Sequence, residues 1–168
     1  MTNPNQPSQS EVRGPVAVDA VEWKPWGEAQ TRFAGRSRHL TKEWGDDYHV
    51  GVVIEELLPG QQSCPAHYHL HEEEHVWMLE GSLTLRLGDR TYQMNAGDYV
   101  CFPAGQRAGH CLVNHTDKPC RDLLIGERNP NEVAVYTDSN KVLVRALKEI
   151  YDKSATKRYL DGEDVDLD

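Results

Sequence analysis

Nine consecutive residues, HYHLHEEEH from His67 to His75, hold four of the chain's eight histidines together with three glutamates. Imidazole nitrogens and carboxylate oxygens at this density make either a solvated charged loop or half of a metal site. In an extended strand, residues i and i+2 share a face. His67 and His69 therefore point the same way, at a spacing suited to chelation. Glu72, Glu73 and Glu74 compete for the adjacent carboxylate position, and Glu74 stands directly before the apolar run HVWML, where a strand would begin. A half-site needs a further ligand from elsewhere in the chain. His110 supplies it, between the turn PAGQRAG and the run CLVN. Such a mixed nitrogen and oxygen set suits one divalent transition metal, Fe, Mn, Ni, Zn or Co. Calcium, which takes oxygens, does not fit.

Short apolar runs must position these residues. HVGVVIEELL ends at Pro59-Gly60, VWML at Glu80-Gly81, LTLRL at Gly88-Asp89, and YVCF at Pro103-Ala104-Gly105; RDLLIGE, EVAVY and KVLVRAL continue the series. Runs of this length punctuated by Gly, Pro, Asn and Asp predict an all-β barrel or sandwich. Residues 1–15 are polar and read as a disordered tail. Residues 16–47 carry Trp23, Trp26, Phe33 and Trp44, too many aromatics for a free arm, and are expected to wrap onto the barrel or a partner subunit. The barrel spans 48–145. A C-terminal extension, 146–168, ends in an acidic tail, and its segment KEIYDKSATKRYLDGEDVDLD is expected to open with a short helix.

Bulk properties narrow the partners. A chain of 168 residues holds one core. The net charge of −9 disfavours nucleic acid and anionic membranes. No apolar run approaches the roughly 20 residues that span a bilayer. The N-terminal MTNPNQPSQSEVRGP lacks an apolar signal-peptide segment, so the expected compartment is cytoplasmic. Cys64, Cys101, Cys111 and Cys120 form no C-x-x-C pair; they read as free thiols filling small apolar sites.

The two histidine segments resemble the paired motifs of the cupin superfamily, of the small single-domain cupin-2 type. The first runs Gly60, six residues, His67-Tyr-His69, four residues, Glu74, six residues, Gly81. The second runs Gly97, five residues, Pro103-Ala-Gly105, four residues, His110, three residues, Asn114. The gap after Gly60 is one residue longer than the family pattern and the gap before His110 two residues longer. HYHLHEEEHVWMLEG, FPAGQRAGHCLVNHT and the terminal YLDGE are similar to a bacterial group provisionally labelled sugar-phosphate isomerases. The resemblance implies a single cupin double-stranded β-helix, or jelly-roll barrel. It also implies a metal held by His67, His69, Glu74 and His110, and tight turns at Gly81 and Gly97.

Other residues carry weaker signals. Arg107, three residues before His110, is the motif-loop cation that could bind an anionic substrate group; Arg36 and Arg38, in a basic cluster with Arg32 and Lys42, stand in reserve. His71 and His75 lie outside the motif and read as exposed, and Tyr99 reads as a core aromatic. No general base is identified, because the strand parity of Glu73 opposes that of Glu74. The expected function is a metal-dependent enzyme on a small polar ligand such as a sugar or sugar phosphate, isomerase-like. The alternatives are an Fe(II)-dependent dioxygenase-type enzyme and a non-catalytic sugar or metabolite binding module. A homodimer is expected, since the aromatic arm and an edge strand both need cover.

Overall fold

The structure, a computed structural model, describes residues 14–28 and 31–163. Its strands run in chain order β1 Lys24–Gly27, β2 Ala34–His39, β3 Val50–Leu57, β4 His67–His69, β5 Glu74–Glu80, β6 Ser82–Leu87 and β7 Arg90–Asn95. They continue as β8 Tyr99–Phe102, β9 His110–Val113, β10 Cys120–Glu127, β11 Val133–Tyr136, β12 Lys141–Val144 and β13 Glu149–Asp152. Two antiparallel sheets form a jelly-roll barrel. One is ordered β1-β2-β3-β10-β5-β8 and the other β13-β12-β11-β4-β9-β6-β7.

Period-two alternation decides what each strand places inside. On β5, Val76 and Met78 are buried while Trp77 between them is exposed. The same parity runs down β3 and β10, which pair in the register Glu55↔Asp122 and Leu57↔Cys120. One end of the interior is apolar, built on Leu57, Met78, Leu83, Leu85 and Leu112. Toward the other end, the inward positions change to Glu55, Glu74, Asp122 and the histidines. At the β5–β6 turn Gly81 has φ 76°. A Cβ there would lie 3.1 Å from the Pro119 carbonyl oxygen, so the position requires glycine on both counts.

The arm lies on its own barrel. β1 and β2 form a hairpin that extends the first sheet from β3, and Trp26 packs against the core. Trp23 is ringed by the guanidinium groups of Arg38, Arg36 and Arg121 at 4.6, 4.8 and 5.8 Å from its ring centre. Arg36 and Arg121 also grip the buried Glu56 at 2.6 and 2.7 Å. These contacts leave Trp23 and Trp26 half-buried, while Trp44 stays exposed.

Two expectations are corrected. The segment after Lys148 is a strand, not a helix. Lys148 adopts a left-handed conformation, φ 56°, which turns the chain back so that β13 pairs with β12. An existing sheet edge offers a ladder at once, whereas a short helix must first meet its nucleation cost. Tyr99 is exposed on the outer face. The tail 1–13 and the last residues, 164–168, lie outside the described residues.

Docking of the arm depends on Gly35, where an added Cβ would sit 2.5 Å from Cζ2 of Trp26. Gly35→Ala is expected to displace the indole and destabilise the protein by about 1–3 kcal/mol. Urea unfolding followed by tryptophan fluorescence measures this; an unchanged midpoint would show that Trp26 does not anchor the arm.

Candidate metal centre

β4 is only three residues long, yet it sets two of the candidate ligands. Its alternation turns His67 and His69 inward and buries Tyr68 on the opposite side. Pairing with β9 places His67 directly opposite His110. Glu74 enters from the facing sheet at the start of β5. One ligand atom from each of His67, His69, Glu74 and His110 lies within 4.8 Å of the others. Nε2 of His67 is 3.0 Å from Nε2 of His69, and Nε2 of His110 is 2.9 Å from Oε2 of Glu74. Phe102 stacks flat on His110 at 3.7 Å and fixes its ring plane.

The far side of each ring explains why the near side suits a cation. Nδ1 of His67 lies 3.0 Å from the Pro65 carbonyl oxygen. It must therefore carry the proton and donate, leaving a lone pair on Nε2. Nδ1 of His69 faces two carboxylates, Glu132 at 3.3 Å and Glu72 at 3.6 Å. The range is that of an ion pair, without hydrogen-bond alignment. A proton on that nitrogen is required to avoid repulsion. Two Nε2 lone pairs then point at one another, which only a positive charge between them relieves. Burial, and then the neighbouring His110 and His69 imidazoles, which disfavour a further positive charge, push the His67 imidazole down to about 4. Burial acts to raise Glu74, but the His110 hydrogen bond and the three imidazoles outweigh it and hold the carboxyl below its ordinary value. A neutral imidazole and an ionised carboxylate are the forms that ligate a metal.

A second layer of groups holds the first. Glu132 is fully buried and accepts from the Leu70 and His71 amides at 2.9 and 3.0 Å. Glu72, also buried, is bound at both oxygens by Arg145. Of the three consecutive glutamates, Glu74 lies in the cluster, Glu72 backs His69, and Glu73 points outward to His75.

The cluster forms a wall between two spaces. A mouth cavity of about 370 Å³ is lined by Tyr48, His69, Glu74, Arg128 and Arg145, among others. A deeper chamber of about 140 Å³ is lined by Glu55, Cys64, His67, Glu74 and His110, among others. Arg107 is exposed and lines neither space. Arg36 and Arg38 are on the outside, holding Glu56 and Asp19. His71 is exposed. Asn114 is fully buried; it donates to the Leu57 and Lys118 carbonyls, both at 2.8 Å, and clamps a loop instead of joining the cluster.

The sequence reading missed Glu55 and Asp122. They sit opposite one another in the β3–β10 register. Oε2 of Glu55 and both carboxylate oxygens of Asp122 are buried without a hydrogen-bond partner. Burial, then Asp122, then Glu74 raise Glu55 well above the carboxylate range. Burial, then Glu74, push Asp122 up to about 7. Asp122 therefore keeps its proton in the folded state where the unfolded chain has lost it. Its contribution to stability is full below the unfolded value and is lost as pH rises through about 7. Asp122→Asn stays neutral throughout. Its stability relative to wild type should grow from about pH 4 to about pH 8, reaching on the order of a few kcal/mol. Thermal melts of metal-free protein across that range check this; parallel curves would refute it.

Residues 53–126 match the family model of the cupin domain, a span that contains both motif segments. None of the curated proteins matches the chain. A solved structure from Acidithiobacillus ferrooxidans, provisionally named a sugar phosphate isomerase, superposes with a TM-score of 0.71 at 29% identity, over 76% of this chain and 81% of that one. A structure from Silicibacter pomeroyi, named a sugar phosphate isomerase from a cupin superfamily, gives 0.73 at 29% identity, over 88% and 98%. A polyketide cyclase from Streptomyces resistomycificus, at 24% identity and a TM-score of 0.56 over 69% and 80%, shares the fold. With both motifs inside the matched span and their side chains converging between two antiparallel sheets, the barrel has the cupin fold and residues 53–126 are its cupin domain.

Proposed function

We propose that this chain is a metal-dependent isomerase of a small phosphorylated sugar, with His67, His69, Glu74 and His110 as ligands of one divalent transition metal. The observation that carries the reading is the arrangement of that cluster between a cation-bearing mouth and a chamber holding a proton-bearing carboxyl. The resemblance to two structures named sugar phosphate isomerases, at 29% identity each, supports the substrate class. A cation bound there would polarise a sugar carbonyl and its neighbouring hydroxyl.

The chain's own residues supply the rest. Glu55, once its own proton has passed to solvent, takes the proton from the carbon bearing the hydroxyl and returns it to the former carbonyl carbon, while the hydroxyl proton passes to the former carbonyl oxygen. Its raised pKa brings its proton affinity closer to neutrality, where an acid–base group works best. Asp122, opposite it, keeps that affinity high. At the mouth, Arg145 is committed to Glu72. Arg128 stacks over the Tyr48 ring at 4.8 Å and donates to its hydroxyl at 2.6 Å, with no ion pair among the described residues. Its guanidinium is the group to receive a phosphate, which would be costly to bury beside Glu72 and Glu74 without a cation.

Three measurements test this reading. By elemental analysis the His67→Ala, His110→Ala double variant should hold one equivalent of transition metal fewer than wild type; equal content would sink the ligand assignment. In calorimetry against a panel of phosphosugars, Arg128→Ala should lose about 1.5–3 kcal/mol of affinity. Neutral sugars should be unaffected, and Arg107→Ala should behave as wild type. With a phosphosugar that turns over, Glu55→Gln should lower kcat by about 10²-fold or more with little change in KM. Binding without turnover by any member of the panel would favour a binding module, and oxygen consumption with another compound a dioxygenase.

A further inference from the structure

The outer face of the first sheet carries a second constellation that the interior chemistry does not use. Glu74 points inward, so its neighbours Glu73 and His75 point outward. β5 and β8 pair in the register His75↔Cys101 and Trp77↔Tyr99, which brings Cys101 beside His75 on that same face. One ligand atom from each of Glu73, His75 and Cys101 lies within 4.8 Å of the others. Oε1 of Glu73 is 3.1 Å from Nε2 of His75. The other ring nitrogen, Nδ1, is 2.7 Å from the Tyr99 hydroxyl, and the two rings stack with 19° between their planes. Tyr99 thus orients the imidazole and takes up Nδ1, leaving Nε2 beside the carboxylate. This is how a supporting hydrogen bond orients a metal-ligating histidine. All three residues are half-buried, and β8 is an edge strand, so an ion can enter from solvent.

We propose that Glu73, His75 and Cys101 form a second divalent-metal site, on the outer face of the barrel, which takes a thiophilic ion such as Zn(II) or Co(II). The thiol makes the donor set softer than that of the interior, which has only imidazole and carboxylate. Three protein ligands leave a position for water. On binding, a sulfur–metal bond forms and the Cys101 proton passes to solvent. Tyr99 is a positioning residue.

Cobalt distinguishes this site from the interior one, because only a thiolate gives an intense near-ultraviolet sulfur-to-cobalt charge-transfer band. Reduced full-length protein titrated with Co(II) should develop that band. It should persist in the His67→Ala, His110→Ala variant, and in Cys64→Ser, whose thiol lines the inner chamber. It should vanish in Cys101→Ser and in His75→Gln. Tyr99→Phe should keep the band but weaken the affinity by about tenfold. No band in wild type, a band that survives Cys101→Ser, or one lost in Cys64→Ser overturns the proposal. Circular dichroism melts of the metal-free variants at the wild-type temperature exclude misfolding as the cause of a lost band.

Discussion

The controlling constraint in this molecule is buried negative charge. Glu55, Glu72, Glu74, Asp122 and Glu132 all have carboxyl groups inside the barrel or its wall, where an uncompensated charge is expensive. Each is answered differently. Glu132 receives two backbone amides. Glu72 is paired with Arg145. Glu74 faces imidazoles, and Glu55 and Asp122 hold on to protons. Among these, only Glu74 is answered by groups that themselves need a positive charge between them. The polar half of the barrel is organised around that unmet demand. The apolar half supplies the rigid walls that keep the carboxyls from escaping to water.

Much of this was readable before any coordinates. The strands announce themselves by turn residues at close intervals. The pleat alone sets His67 and His69 side by side, and the six-residue gap to Gly81 singles out Glu74. What could not be read depends on pairing across the sheet. Glu55 in VVIEELL and Asp122 in RDLLIGE each look like a solvated charge in its own strand. They become a buried pair only when β10 is laid against β3. Glu132 and Arg145 are hidden for the same reason, since they reach His69 from distant segments, Glu132 directly and Arg145 through Glu72. Arg107 is close to His110 along the chain, yet it is exposed and lines neither cavity. Tyr99 lies in YVCF, where every position is apolar or aromatic and alternation gives no parity.

The two faces of β5 show how one strand can carry two chemistries without mixing them. Glu74 and its immediate neighbours differ by one position, and the pleat sends them to opposite sides of a sheet. Inside, the donors are imidazoles and carboxylates, hard or borderline. Outside, a thiol and a hydroxyl join the imidazole, and water has access. Proximity in sequence therefore says little about shared function here. The alternation of the strand separates HEEEH into distinct environments.

Arg145 has a consequence for the chain's last segments. It sits just after β12, in the turn that leads into β13, and both its bonds to Glu72 reach behind His69. The terminal hairpin and the His69 imidazole are thus two ends of one short relay. By thermodynamic reciprocity, whatever fixes His69 from the front also tightens the hairpin, and whatever frees the hairpin loosens His69 to the same extent. A peripheral strand pair is in this way coupled to the geometry at the centre of the barrel.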